Sequence, residues 1–319
     1  MTRFLVRRTI EMAVTLVLAS GLLFGILNLA PGGPFDAQVA NNRIQDPTYL
    51  ERLNKLIGLD KPLHERYLNW IKDVLHGDLG QSWTIARGQS VNTIIAARVP
   101  NTLMLMTTGL LFSLLIAIVI GTISAVRQYS LLDNVFTAFS FFGISIPAFW
   151  FGLIMLKFFG VELKLFPIGG IYSVDKQNDL LDRGWHLILP MIVLSLLQVA
   201  QWSRFLRSSL LETLRQDYVR TARAKGQIER LVLFRHAFRN ALIPLVTVIA
   251  LAVPSLFGGA IFTEHIFAWP GMGQLLVSAV GAFDWPVAMG VVIITAALTI
   301  FANFLADVAY VYVDPRIRY

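Results

Sequence analysis

The sequence predicts an all-α membrane protein with six transmembrane helices and an external helical region between the first and the second. Three observations carry this. The 319 residues are 55% hydrophobic and only 15% charged, with a mean hydropathy of +0.63, whereas soluble domains carry about 25% charged residues. Several apolar runs exceed the ~18 residues that read as membrane spans. The charges also fall where a membrane topology puts them. A net charge of +7 with a pI near 9.8 would suggest nucleic acid in a soluble chain. In a chain this apolar, topology explains it and no nucleic-acid partner is expected. The absence of cysteine excludes disulfides, thiolate metal sites and cysteine nucleophiles, and leaves the compartment open.

The elements follow in order. Arg3, Arg7 and Arg8 precede an apolar run over about 12–30. The run is longer than a signal-peptide core, and Asn28 and Pro31 flank Ala30 poorly for cleavage. An uncleaved first span with its N-terminus inside is therefore expected, with Glu11 at the inner end. Pro31-Gly32-Gly33-Pro34 ends it. The residues from there to about Val99 are polar and expected outside. Helices are expected over 46–57, 63–75 and 90–98, with a turn at Gly77-Asp78-Leu79-Gly80-Gln81-Ser82. Such a region is either a plain cap or a guiding surface.

The second span is expected over 101–126, and Arg127-Gln128-Tyr129-Ser130 is a short inside turn. The third span, 134–159, contains Pro147. A proline there removes a backbone hydrogen bond and kinks the helix, which either opens a mid-membrane path or only shapes packing. Residues 160–183 lie outside, turning at Phe166-Pro167-Ile168-Gly169-Gly170. The fourth span covers 185–205 and the fifth 241–262, whose outer end is weakened by Gly258 and Gly259. Residues 263–273 form an external loop. The sixth span, 286–310, carries Asn303 and Asp307 on one face of its inner half, where helix-to-helix hydrogen bonding is expected. This layout places 15 of the 27 basic residues and 7 of the 20 acids inside. The inside is then about +8 and the outside about −1, the sign that the positive-inside rule requires.

Between the fourth and fifth spans, residues 217–244 are basic, amphipathic and rich in helix formers. Their register predicts a short helix from Asp217 to Lys225, a break at Gly226, and a second helix running into the fifth span. Glycine costs roughly 1 kcal/mol in a helix interior and ends helices well because it accepts positive φ. On composition alone the segment is either an interfacial helix resting its arginines on anionic lipid or a knob presented to a soluble partner.

Ala222, Ala224, Gly226, the ten-residue step to His236, then Arg239-Asn240-Ala241 and Pro244 resemble the cytoplasmic loop of ABC-importer permeases, and more narrowly those of the dipeptide/oligopeptide/nickel type. The Pro-Gly-Gly-Pro-Phe-Asp run at 31–36, Gly77 to Ser82, Ser145-Ile146-Pro147, Trp269-Pro270-Gly271-Met272-Gly273 and the tail from Val313 to Tyr319 resemble segments of the same branch, so the likeness covers nearly the whole chain. Two places depart. Arg220-Thr221-Ala222 stand where many such loops carry Glu-Ala-Ala, and Gln227 stands where leucine is expected.

The resemblance implies a type I ABC-importer permease fold. It divides into an N-terminal span plus external region, 1–98, and a five-helix core, 99–319, with a coupling loop at 207–240. It implies a multi-pass protein of a bacterial or archaeal plasma (inner) membrane with both termini cytoplasmic. The implied partners are a second related permease, two ATPase subunits or domains, an extracytoplasmic solute-binding protein, and membrane lipid. Coupling falls to Tyr218, Thr221, Ala222, Arg223, Ala224, Lys225, Gly226 and His236. Thr221, Ala222, Ala224 and Gly226 are the expected packing contacts. Arg223 and Lys225 are the expected peripheral ion pairs, worth about 0–1 kcal/mol each. Pro147, Gly258 and Gly259 are the candidates for a gate or kink. Gly77, Asp78, Leu79, Gly80, Trp269, Pro270 and Gly271 are those for binding-protein docking. Peptides are the first substrate choice in this branch, with nickel chelates, glutathione and oligosaccharides as alternatives.

Other chemistries lack their motifs. No phosphate-binding loop is present, so ATP and Mg are expected in partner subunits and no cofactor here. No His-Glu-x-x-His or Gly-x-Ser-x-Gly occurs, and a transport subunit rather than an enzyme is expected. His64, His76, His186, His236 and His265 are scattered and suggest no metal cage. Adjacent Glu264 and His265 diverge on any regular backbone. Carboxylates are nearly absent from the middle of the spans, which argues against the alternative of another class, a stand-alone ion-coupled carrier.

Overall fold

A computed structural model describes residues 2–29, 35, 47–56, 58–177 and 179–313. The expected Pro31–Pro34 turn, the helix ends at Asp46 and Ile57, and residues 314–319 of the tail lie outside the described residues. Among those described, the chain is helical, with one isolated bridge between Gln81 and Ser90. The helices are α1 (Thr2–Leu29), α2 (Pro47–Leu56), α3 (Leu63–Leu75), α4 (Val91–Val126), α5 (Leu131–Ser145) and α6 (Ala148–Met155), then α7 (Leu180–Leu214), α8 (Asp217–Ala224), α9 (Glu229–Leu231), α10 (Arg239–Ile266), α11 (Met272–Gly281) and α12 (Trp285–Val313). Among the described residues five helical segments are long and apolar enough to cross a membrane, and six if α5 and the helical stretch Ala148–Glu162 together count as one.

Three expectations change in detail. The helix expected at 90–98 and the second span are one continuous helix, α4, with Pro100 inside it. The third span is not a kinked helix. α5 ends at Ser145, and α6 leaves at 109° to it. Pro147 sits at the N-cap of α6, with φ −63° and ψ 130°. Proline fits that position because the missing N–H would find no partner there, so it starts a helix rather than bending one. The fourth span is longer than expected: α7 has 35 residues, about 52 Å at 1.5 Å per residue, against a hydrocarbon core of about 30 Å.

The chain forms two compact units, Met1–Asn101 with Pro270–Leu298, and Thr102–Trp269 with Thr299–Tyr319. This differs from the expected cut at 98, because the segment after the external loop groups with the N-terminal residues. In the first unit α1 lies against α3. The Ser20 and Tyr67 hydroxyls are 2.9 Å apart, and Tyr67 OH also donates to the Val17 carbonyl. Leu27, Leu79, Val91, Ile95, Leu275 and Val287 form its apolar core. In the second unit α5, α7 and α10 pack together. A Cβ placed on Gly121 of α4 would meet the Ser203 carbonyl oxygen of α7 at 2.8 Å, so only glycine allows that approach. Trp202, Leu206, Leu210, Val219, Ala241 and Leu245 belong to one core there, and Val219 comes from the loop itself.

Candidate functional site

The loop between α7 and α10 folds as its pattern predicts, and its ends show why. Asp217 stands in the first turn of α8 and Arg223 in the last, each charge complementing the helix dipole. Gly226 has φ +72°. Its N–H donates to the Arg223 carbonyl at 2.9 Å, and Gln227 N–H donates to the Ala222 carbonyl at 3.4 Å. This is a Schellman ending, which requires the left-handed residue that glycine supplies. The chain restarts at Glu229, passes through a π-helical turn from Val232 to Phe238, and continues as α10.

One face of α8 holds it to the protein. Val219 is fully buried and Ala222 is 5% exposed; three residues apart, they share a face. Burying a valine contributes roughly 1.5–3 kcal/mol. Polar ties add orientation. Asn240 Nδ2 donates to the Tyr218 hydroxyl at 3.0 Å and to the His236 carbonyl at 2.9 Å. His236 Nε2 donates to Gln227 Oε1 at 2.9 Å. Gln227, a departure from the family pattern, is therefore a partner for His236. Tyr218, Thr221, Arg223, Ala224, Lys225 and Gly226 are exposed. Among the coupling candidates Ala222 is corrected: its methyl packs into this chain's own core, so it anchors the helix and offers no surface. Arg223 is paired at home, its Nη2 2.6 Å and its Nε 3.1 Å from the carboxylate of Glu229. Those hydrogen bonds raise the guanidinium pKa. The pair ties the two sides of the Gly226 break together.

A second support was not legible in the sequence. The Asp133 carboxylate, 2% exposed as a residue, receives Nε and Nη2 of Arg207 at 2.7 and 2.8 Å and the Tyr129 N–H at 2.9 Å. This bidentate pair joins the first turn of α5 to α7, one helical turn from Leu210. Seventy-four residues separate the two partners, and no local pattern links them.

The segment around Gly77 has a different construction. Gly77 and Gly80 both take positive φ, Asp78 Oδ1 accepts from the Gly80 N–H, and Asn92 holds Leu79 N–H and the Gly77 carbonyl. Beyond it the chain wraps the carboxylate of Asp284, which is fully buried. Oδ2 accepts from the Ser82 hydroxyl at 2.5 Å, from Thr84 N–H at 2.9 Å and from Ile85 N–H at 3.0 Å, while Oδ1 accepts from Trp83 N–H at 3.1 Å. Burial acts to raise the pKa of Asp284, but these four donors together outweigh it and the net direction is downward. Leu79, Trp269 and Gly271 are corrected as docking candidates because all three are buried. Trp269 is fully enclosed and closes the end of α10, its N–H on the Glu264 carbonyl at 2.8 Å. Gly77 and Asp78 remain exposed, and Pro270 is half-buried. Pro147 caps α6 as described, and the backbone stays helical through Gly258 and Gly259. Asn303 is half-buried, and the side chain of Asp307 lies outside the described residues. Among the described residues no group of three His, Asp or Glu side chains could hold a metal ion.

The described residues thus combine membrane-length helices with a short, capped, surface-presented helix between two of them. The chain belongs to the family of binding-protein-dependent transport system inner membrane components, whose model matches residues 117–319; the corresponding N-terminal family matches residues 1–106. It is thus a multi-pass inner-membrane permease of an importer, in a family of transport subunits that leave ATP hydrolysis to separate ones. It is 41% identical over 320 residues, covering all of both chains, to the oligopeptide transport system permease protein AppB of Bacillus subtilis. It is 36% identical over 340 residues, all of this chain and 99% of the other, to the dipeptide transport system permease protein DppB of Escherichia coli K12. Among solved structures, the methionine ABC transporter MetNI in inward-facing conformations matches 69% of this chain and 96% of its own, with a TM-score of 0.55 at 18% identity. That likeness bears on the fold alone.

Proposed function

We propose that this chain is one of two permeases in an ATP-driven importer that carries short peptides from a solute-binding protein into the cytoplasm. Peptide is the cargo named for the relatives matched along the whole chain. Both termini face the cytoplasm, so the 217–240 loop does too. Two ATPase subunits or domains, which hold the ATP and Mg, grip this loop and its counterpart on the second permease. The external residues receive the binding protein.

The observation that carries the coupling role is the division of α8 into a buried face, Val219 and Ala222, and an exposed one, Tyr218, Thr221, Ala224 and Lys225. A helix packed into the core at the end of α7 and tied to α10 moves with both, so a push on its exposed face tilts the spans. Rigid coupling of this kind needs packing more than charge. The test is uptake of a labelled dipeptide in cells carrying the intact transporter, with Gly226→Val compared with the native chain. Loss of uptake with normal membrane abundance supports the reading. Unchanged uptake at normal abundance overturns it.

A further inference from the structure

We propose that a cavity in the first unit, between α1, α3 and the start of α12, is a binding site for an anionic amphiphile: a carboxylate or phosphate head on an apolar body. The cavity holds about 410 Å³, within the range of small-molecule pockets. Lys55, Lys61 and Arg66 line it, against a single carboxylate, Asp73. None of the three cations has an ion-pair partner among the described residues. Arg66 is half-buried and its guanidinium lies 5.8 Å from the centre of the Phe24 ring; burial lowers its pKa with no acid to offset it. Trp70, also on the wall, buries an indole N–H that has no hydrogen-bond partner. Lysine, arginine and indole groups only donate. The Trp70 N–H has almost no accessible surface, so Lys55, Lys61 and Arg66 are the donors that an acidic head group would meet.

The remaining wall sets the rest of the ligand. Phe24, Trp83, Trp285 and Met289 are apolar or aromatic, and an inorganic anion would leave that surface uncovered. A short peptide with a free C-terminal carboxylate and an anionic phospholipid both present this chemistry, and the experiment separates them.

The full-length chain, purified in phosphatidylcholine nanodiscs, is titrated with the dipeptide Phe-Leu and with Phe-Leu amide. Binding is followed by tryptophan fluorescence. Lipid retention is read in parallel by native mass spectrometry after exchange into phosphatidylglycerol. Saturable binding of Phe-Leu but not its amide assigns a carboxylate ligand. Selective retention of phosphatidylglycerol assigns a lipid head group. Either affinity should fall roughly tenfold in Lys61→Gln, the loss of one charge-assisted contact, and return in Lys61→Arg. Lys61 is exposed, so this pair reports even if Arg66→Gln does not fold. Absence of saturable binding by both acidic probes, equal binding of acid and amide without selective retention of phosphatidylglycerol, or full affinity in Lys61→Gln would overturn the proposal.

Discussion

Two turns in this protein both use a left-handed glycine, and they are built oppositely. At Gly226, as at Gly77, nothing lies within 4 Å of where a Cβ would sit; the difference lies in what surrounds the two turns. The helix before Gly226 is fastened by one apolar face and a few side-chain hydrogen bonds, with the rest exposed. The turn from Gly77 to Ile85 instead closes around a buried carboxylate that saturates four donors. The first arrangement suits an element that must present a surface and move as a piece with its two helices. The second suits an element that must keep one shape. Where the chain places its charges follows the same division: the Arg223–Glu229 pair is exposed to solvent and the Asp284 carboxylate is not.

Breaking the second arrangement should have the largest effect. Asp284→Ala leaves three backbone N–H groups and the Ser82 hydroxyl without their acceptor, and should cost about 3–5 kcal/mol, read as a lower unfolding temperature of the detergent-purified protein. The same group carries an acid limb. Its folded pKa is depressed, so its stabilisation is fully present above the ordinary carboxylate range and is lost as pH falls through the folded value. The difference in unfolding temperature between the native chain and Asp284→Asn should hold from neutral pH down to that range, then shrink on further acidification. A difference that grows on acidification would contradict this account of Asp284.

The first arrangement is more weakly held. Val219→Ala removes two methyl groups from the shared core and should cost about 1–3 kcal/mol, with dipeptide uptake falling more than membrane abundance. Gly226→Val forces a β-branched residue to positive φ and should cost about 1–2 kcal/mol. Gly226→Asn should cost less, since asparagine tolerates that conformation. Because no neighbour crowds the site, equal losses in the two variants would point to a hidden contact rather than to backbone strain. Arg223→Ala should be smallest, about 0–1 kcal/mol and reduced by salt, because the pair is exposed. A larger thermal shift in that variant would mean that the pair holds the break closed.

The spans and the loop were legible because both are local. Apolar runs identify helices directly, and Gly226 marks the end of α8 through backbone conformation alone. What escaped the sequence depends on long-range contact. Asp284 reads as an ordinary acid beside Trp285, and only the folded chain brings residues 82–85 to it, about 200 positions away. Asp133 and Arg207 were counted as separate charges on one side of the membrane. Pro147 was expected within a bent span because a proline inside a hydrophobic run signals a kink; the reversal it caps comes from packing against α7 and α10. Ala222 was placed on the contact face because it matches the family's loop. Its burial follows from the phase of α8 against α7, which three residues of spacing cannot set. Trp269 and Leu79 fall in segments that resemble the family's external ones and were docking candidates for that reason, yet both are enclosed.

Residue-specific cross-linking tests the coupling role most directly. The native chain has no cysteine, so a single substitution gives it one labelling site, and the cysteine-free chain in the same complex supplies the background. In the purified transporter with its ATPase subunits, a photoactivatable maleimide on Thr221→Cys or Ala224→Cys should cross-link to an ATPase subunit, and one on Val219→Cys should not. Cross-links from Val219→Cys with none from the exposed face, or products formed only with lipid, would contradict the account.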